Sequence, residues 1–182
     1  MEILLETERL VLRPLAAADA GAVLALQDDP EIMRYLDPSP VERFYEGGFY
    51  AALEKATGRF AGWFALEPRG EDEYEIGYRL HRWAWGRGYA TEGSIALLDK
   101  GFREWGAQRV YAETMAVNAR SRRVMEKIGL KHTRTFHVEW PDPLPGSEQG
   151  EVEYALIRAE YLGQSARSAR SARSAQFAQE EE

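Results

Sequence analysis

The chain has 182 residues, 45% of them hydrophobic, a formal net charge of −7, three histidines and no cysteine. That length suits one domain with its own core, and the acidic balance argues against a nucleic-acid face and for a cationic partner. The lack of cysteine excludes disulfides, thiolate nucleophiles and cysteine-held zinc, and His81, His132 and His137 lack metal-ligand spacing, so no metal is expected.

MEILLETERLVL has no basic-then-apolar signal pattern, and no apolar run approaches the ~18 residues of a membrane span. The expectation is a soluble, cytoplasmic protein with no membrane partner. Arg9 to Leu15 alternates as a strand, with Leu10 and Leu12 on one side. Asp19 precedes a helix carrying Val23, Leu24 and Leu26, which stops before Asp29-Pro30. Pro38 and Pro40 break up the next stretch. Thr57-Gly58 marks a turn between strands at about 49–55 and 59–66, and Glu73 to Leu80 is a further strand. After WGRGYATEG, residues 85–93, the residues Ile95, Leu98, Phe102 and Trp105 fall at helical spacing and Gly106 stops the helix. RVYAETM, 109–115, is a strand. Asn118 caps a helix with Val124, Met125 and Ile128 on its buried stripe, ended by Gly129. LKHTRTFHVEW and EVEYALIR are two long final strands. The domain is taken as 1–162; residues 163–182 repeat Ser-Ala-Arg three times, have no core periodicity, and read as a disordered tail. Strands followed by alternating helices and strands specify an α+β fold with a parallel pair near the glycine motif.

A strand, a glycine loop and a helix start make a phosphate cradle. The first turn of a helix has unpaired N–H groups and the positive end of the macrodipole. Gly86 and Gly88 let oxygens approach the backbone, Arg87 adds charge and Thr91 a hydroxyl. The pattern is neither GxGxxG nor a Walker loop, and a tight turn among packed aromatics remains the alternative.

TERLVLRPL, EIGYRL, WGRGYATEG and NARSRRVMEKIGL, in that order, resemble the GNAT superfamily of N-acetyltransferases over roughly residues 6–161, in its ribosomal-protein amino-terminal (RimJ/RimL-like) branch. The resemblance implies a mixed, mostly antiparallel sheet of about six to seven strands flanked by helices, with a central parallel pair splayed to hold acetyl-CoA. It implies that Trp85, Gly86, Arg87, Gly88, Tyr89, Ala90 and Thr91 receive the pyrophosphate. Trp83 departs from the family's Gln/Arg position, so Arg82 or Arg87 is expected to supply the charge. Backbone groups of Tyr78, Arg79 and Leu80 would pair with the pantetheine arm as an added strand does. Asn118 matches the family's pantetheine-contacting asparagine, and a homodimer follows from the resemblance alone.

Acetyl transfer needs an amine without its proton, a polarised carbonyl and a protonated leaving thiolate. Without cysteine, direct attack by the amine is the route. The position of the family's tyrosine acid holds Met125, so the resemblance to the ribosomal branch assigns the acid to Ser121, and the base to Glu113, with Glu75 second. A helix-surface serine and solvated strand carboxylates are the alternatives. Glu139, Asp142, Glu148, Glu151 and Glu153 would draw a cationic amine, either a protein amino terminus or a small amine. Trp63, Phe136 and Trp140 either line the acceptor pocket or fill the core. The stretch between Pro30 and Gly48 is short for a two-helix lid, so an open site is expected. The main alternative function is an acetyl-CoA sensor without turnover, supported by Met125; a nucleotide-binding fold with unrelated chemistry is the third.

Overall fold

The computed structural model describes residues 2–36, 41–139 and 142–164, so Trp140 and the tail from 165 onward lie outside the described residues. The strands are β1 (Leu5–Glu6), β2 (Leu10–Pro14), β3 (Phe49–Glu54), β4 (Phe60–Pro68), β5 (Glu73–Leu80), β6 (Arg109–Met115), β7 (Lys131–Phe136) and β8 (Glu151–Ile157). They form one sheet in the order β1-β2-β3-β4-β5-β6-β8-β7. Every neighbouring pair is antiparallel except β5 and β6. The sheet has eight strands where six to seven were expected. The extra one is the two-residue β1, too short to show alternation in the sequence. The penultimate strand stops at Phe136, earlier than its sequence suggests.

Pairing register assigns the faces, because residues opposite each other across a ladder point the same way. Leu10, Leu12, Phe64, Leu66, Ile76, Leu80, Val110, Ala112, Val152, Tyr154 and Leu156 belong to one core with α2 (Tyr89–Arg103) and α3 (Ala119–Lys127). Ala51, Trp63 and Ala65 form a second core on the other face with Val23 and Leu26 of α1 (Ala20–Gln27). A further helical turn covers 158–164, where Tyr161 stacks on Phe102 at 4.9 Å. The α2 stripe is rotated from the expected one. Leu98 and Phe102 are buried and Trp105 packs on the core as expected, but Ile95 is 45% exposed and Leu97 is buried in its place. Gly93 sets that rotation, since a Cβ there would lie 2.3 Å from the Phe64 ring. The helix therefore rests its backbone directly on β4, which a side chain at 93 would prevent.

Between Pro30 and Gly48 the described residues contain no α-helix, only a 3-10 turn at Val41–Tyr45 that buries Phe44 in the second core. Trp63 lies in that same core, while Phe136 is partly exposed under the Arg134 guanidinium at 4.7 Å.

Candidate active site

The parallel β5–β6 ladder lasts three residue pairs, Glu73 with Arg109, Tyr74 with Val110 and Glu75 with Tyr111, and then ends. Beyond it the two strands run on to Leu80 and Met115 without pairing to each other. A splayed parallel pair is what the sequence resemblance implied. Backbone direction on β5 follows from its bonds. Glu73 O accepts from Arg69 N at 2.8 Å and His81 N donates to Ala61 O at 2.9 Å, so odd-numbered residues face β4. Asp72 O, by contrast, accepts from the β6 side. In an antiparallel ladder the alternate residues point away, so the N–H and C=O groups of Ile76, Tyr78 and Leu80 point into the gap.

One of the expected arm-pairing residues is thereby corrected. Arg79 turns its backbone to β4, opposite Trp63, so it offers no main-chain group to the gap. The Leu80 carbonyl already accepts from Trp85 Nε1 at 2.8 Å, which leaves its N–H. Tyr78 keeps both groups free of β4.

The glycine loop sits at the start of α2. Gly86 and Gly88 have φ of 71° and 83°, the left-handed region that costs a side chain about 1–2 kcal/mol. Gly88 is the N-cap, and the first helical bond is Glu92 N to Gly88 O at 2.9 Å. The N–H groups of Gly88, Tyr89, Ala90 and Thr91 are those that a helix start leaves unpaired. The Tyr89 side chain is an anchor, buried with its hydroxyl on Glu54 Oε1 at 2.6 Å. Arg87 reaches the same oxygen at 3.4 Å and is half exposed. Trp83 is flanked by the Arg59 and Arg87 guanidinia, 4.1 and 5.6 Å from its ring centroid, so cations gather where the family places Gln or Arg. Arg82 is drawn off to Asp29 at 2.8 Å, whereas Arg120, on the first turn of α3, lies over Trp85 at 4.9 Å.

The N-terminal hairpin holds this loop in place. Thr7 Oγ1 and the Arg9 backbone N–H and Nε all donate to the Glu92 carboxylate, at 2.6, 2.8 and 2.7 Å, and Arg9 Nη1 donates to Arg87 O at 2.8 Å. The sequence showed Thr7 and Arg9 only as part of a motif near the start; their partner 85 and 83 residues away is a tertiary fact.

Across the gap, Asn118 Oδ1 accepts from Ser121 N at 3.3 Å, which realises the expected helix cap, and its Nδ2 donates to Thr114 Oγ1 at 3.0 Å. Ser121 Oγ lies 3.1 Å from Tyr78 Oη. Burial pushes the Tyr78 hydroxyl up to about 12, with the Ser121 contact partly opposing it, so the phenol stays protonated at neutral pH. Met125 is 2% exposed within the core.

The opposite face carries the carboxylates. Tyr111, Glu113 and Met115 share it with Glu75, and so, by register, do Glu151 and Glu153. Glu75 is paired with Arg69 at 2.8 Å. Burial, then the neighbouring charges of Glu75 and Glu153, raise the Glu113 carboxyl above its ordinary range, although Arg134 approaches it at 3.4 Å. Glu151 is 8% exposed, its Oε1 has no hydrogen-bond partner among the described residues, and burial followed by the charge of Glu113 raises it too. Glu153 is held down against burial by Thr133, Arg134 and Arg109. Glu151 was one acidic residue among five in the sequence; Glu153 is buried too but bonded, so what sets Glu151 apart is burial opposite Met115 with Oε1 unpartnered. Among the described residues no group of His, Cys, Asp and Glu suits a metal ion, and no helix is long and apolar enough to cross a membrane.

The family model for the acetyltransferase (GNAT) domain matches residues 9–131. The chain belongs to the GNAT acetyltransferases. It is 34% identical to the FsC-acetyl coenzyme A-N(2)-transacetylase of Aspergillus fumigatus, over 87% of this chain and 77% of that one. Among solved structures it resembles a GNAT-family acetyltransferase from Bacillus anthracis, with a TM-score of 0.73 and 25% identity over 87% of this chain and 99% of that one. Spermidine N-acetyltransferase from Vibrio cholerae, solved with CoA and spermine, shares the fold, with a TM-score of 0.73 at 18% identity, over 85% of this GNAT chain and 98% of that chain. The chain is accordingly an acetyltransferase of a family that uses acetyl-CoA as acyl donor.

Proposed function

We propose that this GNAT enzyme transfers acetyl from acetyl-CoA to a primary amine by direct attack, with the two substrates on opposite faces of the β5–β6 gap. The carrying observation is the distribution of groups around that gap. Unpaired N–H donors of α2, with the Tyr78–Ser121 hydroxyl pair, lie on one face, and Glu113 and Glu151 on the other. The N–H groups at Gly88 to Thr91 would hold the pyrophosphate, the free groups of Tyr78 and the N–H of Leu80 the pantetheine arm, and Asn118 would contact that arm while capping α3. Acetyl-CoA supplies the activated acyl group.

Glu113, or Glu151 beside it, takes the proton from the incoming ammonium, directly or through water; a raised carboxyl pKa suits either to that task. Glu75 is committed to Arg69 and serves by adding negative charge near Glu113. Ser121 gives its proton to the departing thiolate and is resupplied by Tyr78, which occupies the role left empty by Met125. The serine–glutamate pair is what supports the ribosomal-protein amino-terminal branch. The crowd of glutamates supports a cationic amine, the family resemblance supports a homodimer, and a cytoplasmic setting is proposed from the sequence alone, with no helix among the described residues long and apolar enough to cross a membrane.

Release of CoA thiol from acetyl-CoA in a panel of amines tests this reading. Ser121→Ala and Glu113→Gln are expected to lose ~10²-fold or more in rate while still binding acetyl-CoA. The rival sensor reading, favoured by Met125, expects binding without thiol release by the unaltered protein with every amine.

A further inference from the structure

Seven polar or charged residues are buried in the described structure, and five of these carry charge: Asp19, Glu54, Arg79, Glu151 and Glu153. Three have firm partners. Asp19 takes two bonds from Arg13 at 2.7 Å, Glu54 accepts from Thr57 and Tyr89 at 2.6 Å, and Glu153 accepts from Thr133 at 2.6 Å and from Arg134. The two exceptions are Arg79 and Glu151, each 8% exposed. They are opposite in sign, share a sheet face, and form no ion pair with each other. Arg79 stands on β5 and Glu151 on β8 beside β6, so one lies on each side of the gap.

Arg79 is the more demanding case. Its Nε and Nη1 are sealed from water and have no hydrogen-bond partner among the described residues. Its guanidinium lies over the Trp63 ring, 5.1 Å from the centroid, and Trp63 Nε1 is also buried without a partner. Burial holds the Arg79 pKa down to about 10, so it remains a cation at neutral pH. Buried arginine is almost always paired, since an unmet charged donor costs far more than its hydrogen bond returns. Three orphan donors on two neighbouring side chains suit an anion with more than one acceptor oxygen, such as a carboxylate.

We propose that Arg79, with Trp63 Nε1, docks a carboxylate of the acceptor, so that the substrates are amines bearing a free carboxylate, such as amino acids and their conjugates, rather than simple polyamines. The ammonium end then turns toward Glu113 and Glu151. This deepens the acetyl-transfer reading and rests on it for the role of the site, but binding of a carboxylate at Arg79 can be measured without any transfer.

The test uses matched pairs that differ only in the carboxylate: ornithine and putrescine, lysine and cadaverine, phenylalanine and phenethylamine. Each is titrated into the protein saturated with CoA, where no acetyl group can move, and then assayed for thiol release with acetyl-CoA. The carboxylate member of a pair is expected to bind ~10- to 100-fold more tightly, the range of one charge-assisted pair. Arg79→Gln should level the pairs and Arg79→Lys should keep part of the preference. Equal binding within every pair of the unaltered protein overturns the proposal, whatever the variants do, as does a preference that survives in Arg79→Gln. Carboxylate preference with no thiol release from any amine would uphold the docking site and sink the acetyl-transfer reading. Thiol release without preference would do the reverse.

Discussion

Replacing Arg79 by methionine should make the protein more stable. The guanidinium is 8% exposed with two sealed, unpartnered nitrogens, and burial holds its pKa down to about 10, below the ordinary arginine range. At neutral pH it is protonated in both folded and unfolded chains, but the folded chain holds the proton less tightly. By linkage that difference costs about 3 kcal/mol, present in full below pH 10 and relieved as pH climbs from there toward the ordinary arginine range. Methionine keeps most of the stem and removes the charge. It also gives up the stacking on Trp63 and leaves a small void, together about 1–2 kcal/mol. The net gain is about 1–2 kcal/mol, or roughly 2–8 °C in midpoint for a domain of this size. Thermal unfolding at pH 7 followed by circular dichroism measures it. Arg13→Met is the control, since Arg13 is matched by Asp19 through two bonds of 2.7 Å and its loss should lower the midpoint. An Arg79→Met protein that melts at or below the unaltered one would mean that the guanidinium is already satisfied, and the argument for a vacant anion partner would fail with it.

Tyr78→Phe should retain acetyl-CoA affinity and lose about 10-fold or more in kcat, because it removes only the hydroxyl 3.1 Å from Ser121 Oγ; an unchanged kcat would take Tyr78 out of the proton path. The acid limb of kcat/KM should lie above the ordinary carboxylate range, because Glu113 and Glu151 are both raised and a base works only when deprotonated. Glu113→Gln removes a charge that helps raise Glu151, so any remaining limb should move to lower pH; a limb that stays put in both glutamine variants would excuse both glutamates. Gly88→Ala forces a side chain to a φ of 83° with its Cβ 3.3 Å from the Arg9 guanidinium, which should cost about 1–2 kcal/mol in stability and raise the KM for acetyl-CoA. A KM unchanged in that variant would argue against the loop as the phosphate cradle.

What the sequence made legible was whatever local chemistry determines. Alternation in Glu73 to Leu80, the glycines at 86 and 88, and Asn118 before a helix each carry their own physical reason, and each element lies where that reason puts it. The two-residue β1 escaped because two residues cannot express a period. The α2 stripe was misjudged at Ile95 because small residues, Gly93 and Gly101, form the contact with Phe64 and Leu66, and hydrophobic spacing cannot see a glycine. At the candidate site, the family resemblance pointed to Ser121 and Glu113 by their positions relative to Asn118. Tyr78 could not be picked as the partner of Ser121, since their contact spans 43 residues. Nor does alternation tell whether a strand arginine meets a carboxylate. Arg13 and Arg79 both lie on strands with their side chains on the same sheet face, and each keeps a buried Nε without a partner, yet Arg13 meets the Asp19 carboxylate and Arg79 meets none among the described residues.

That difference bears on how the two substrates meet. A continuous sheet closes the space between its faces with strand spacings of about 4.8 Å and a full ladder of hydrogen bonds. Here the ladder ends at Glu75 and Tyr111, and the groups released by that break, at Tyr78 and Leu80, are the ones available to a second chain-like ligand. The break also removes the strand that would otherwise lie beside Arg79 on that side. A thioester reaching the gap from the α2 face would present its carbonyl to whatever lies on the far face, and that face sets the Arg79 guanidinium near the end of β5 apart from the carboxylates of Glu75, Glu113 and Glu151. A molecule with one charge of each sign can be turned only one way in such a field. On the proposed docking, a polyamine would set one of its cations against the Arg79 guanidinium, and that repulsion would weigh against it.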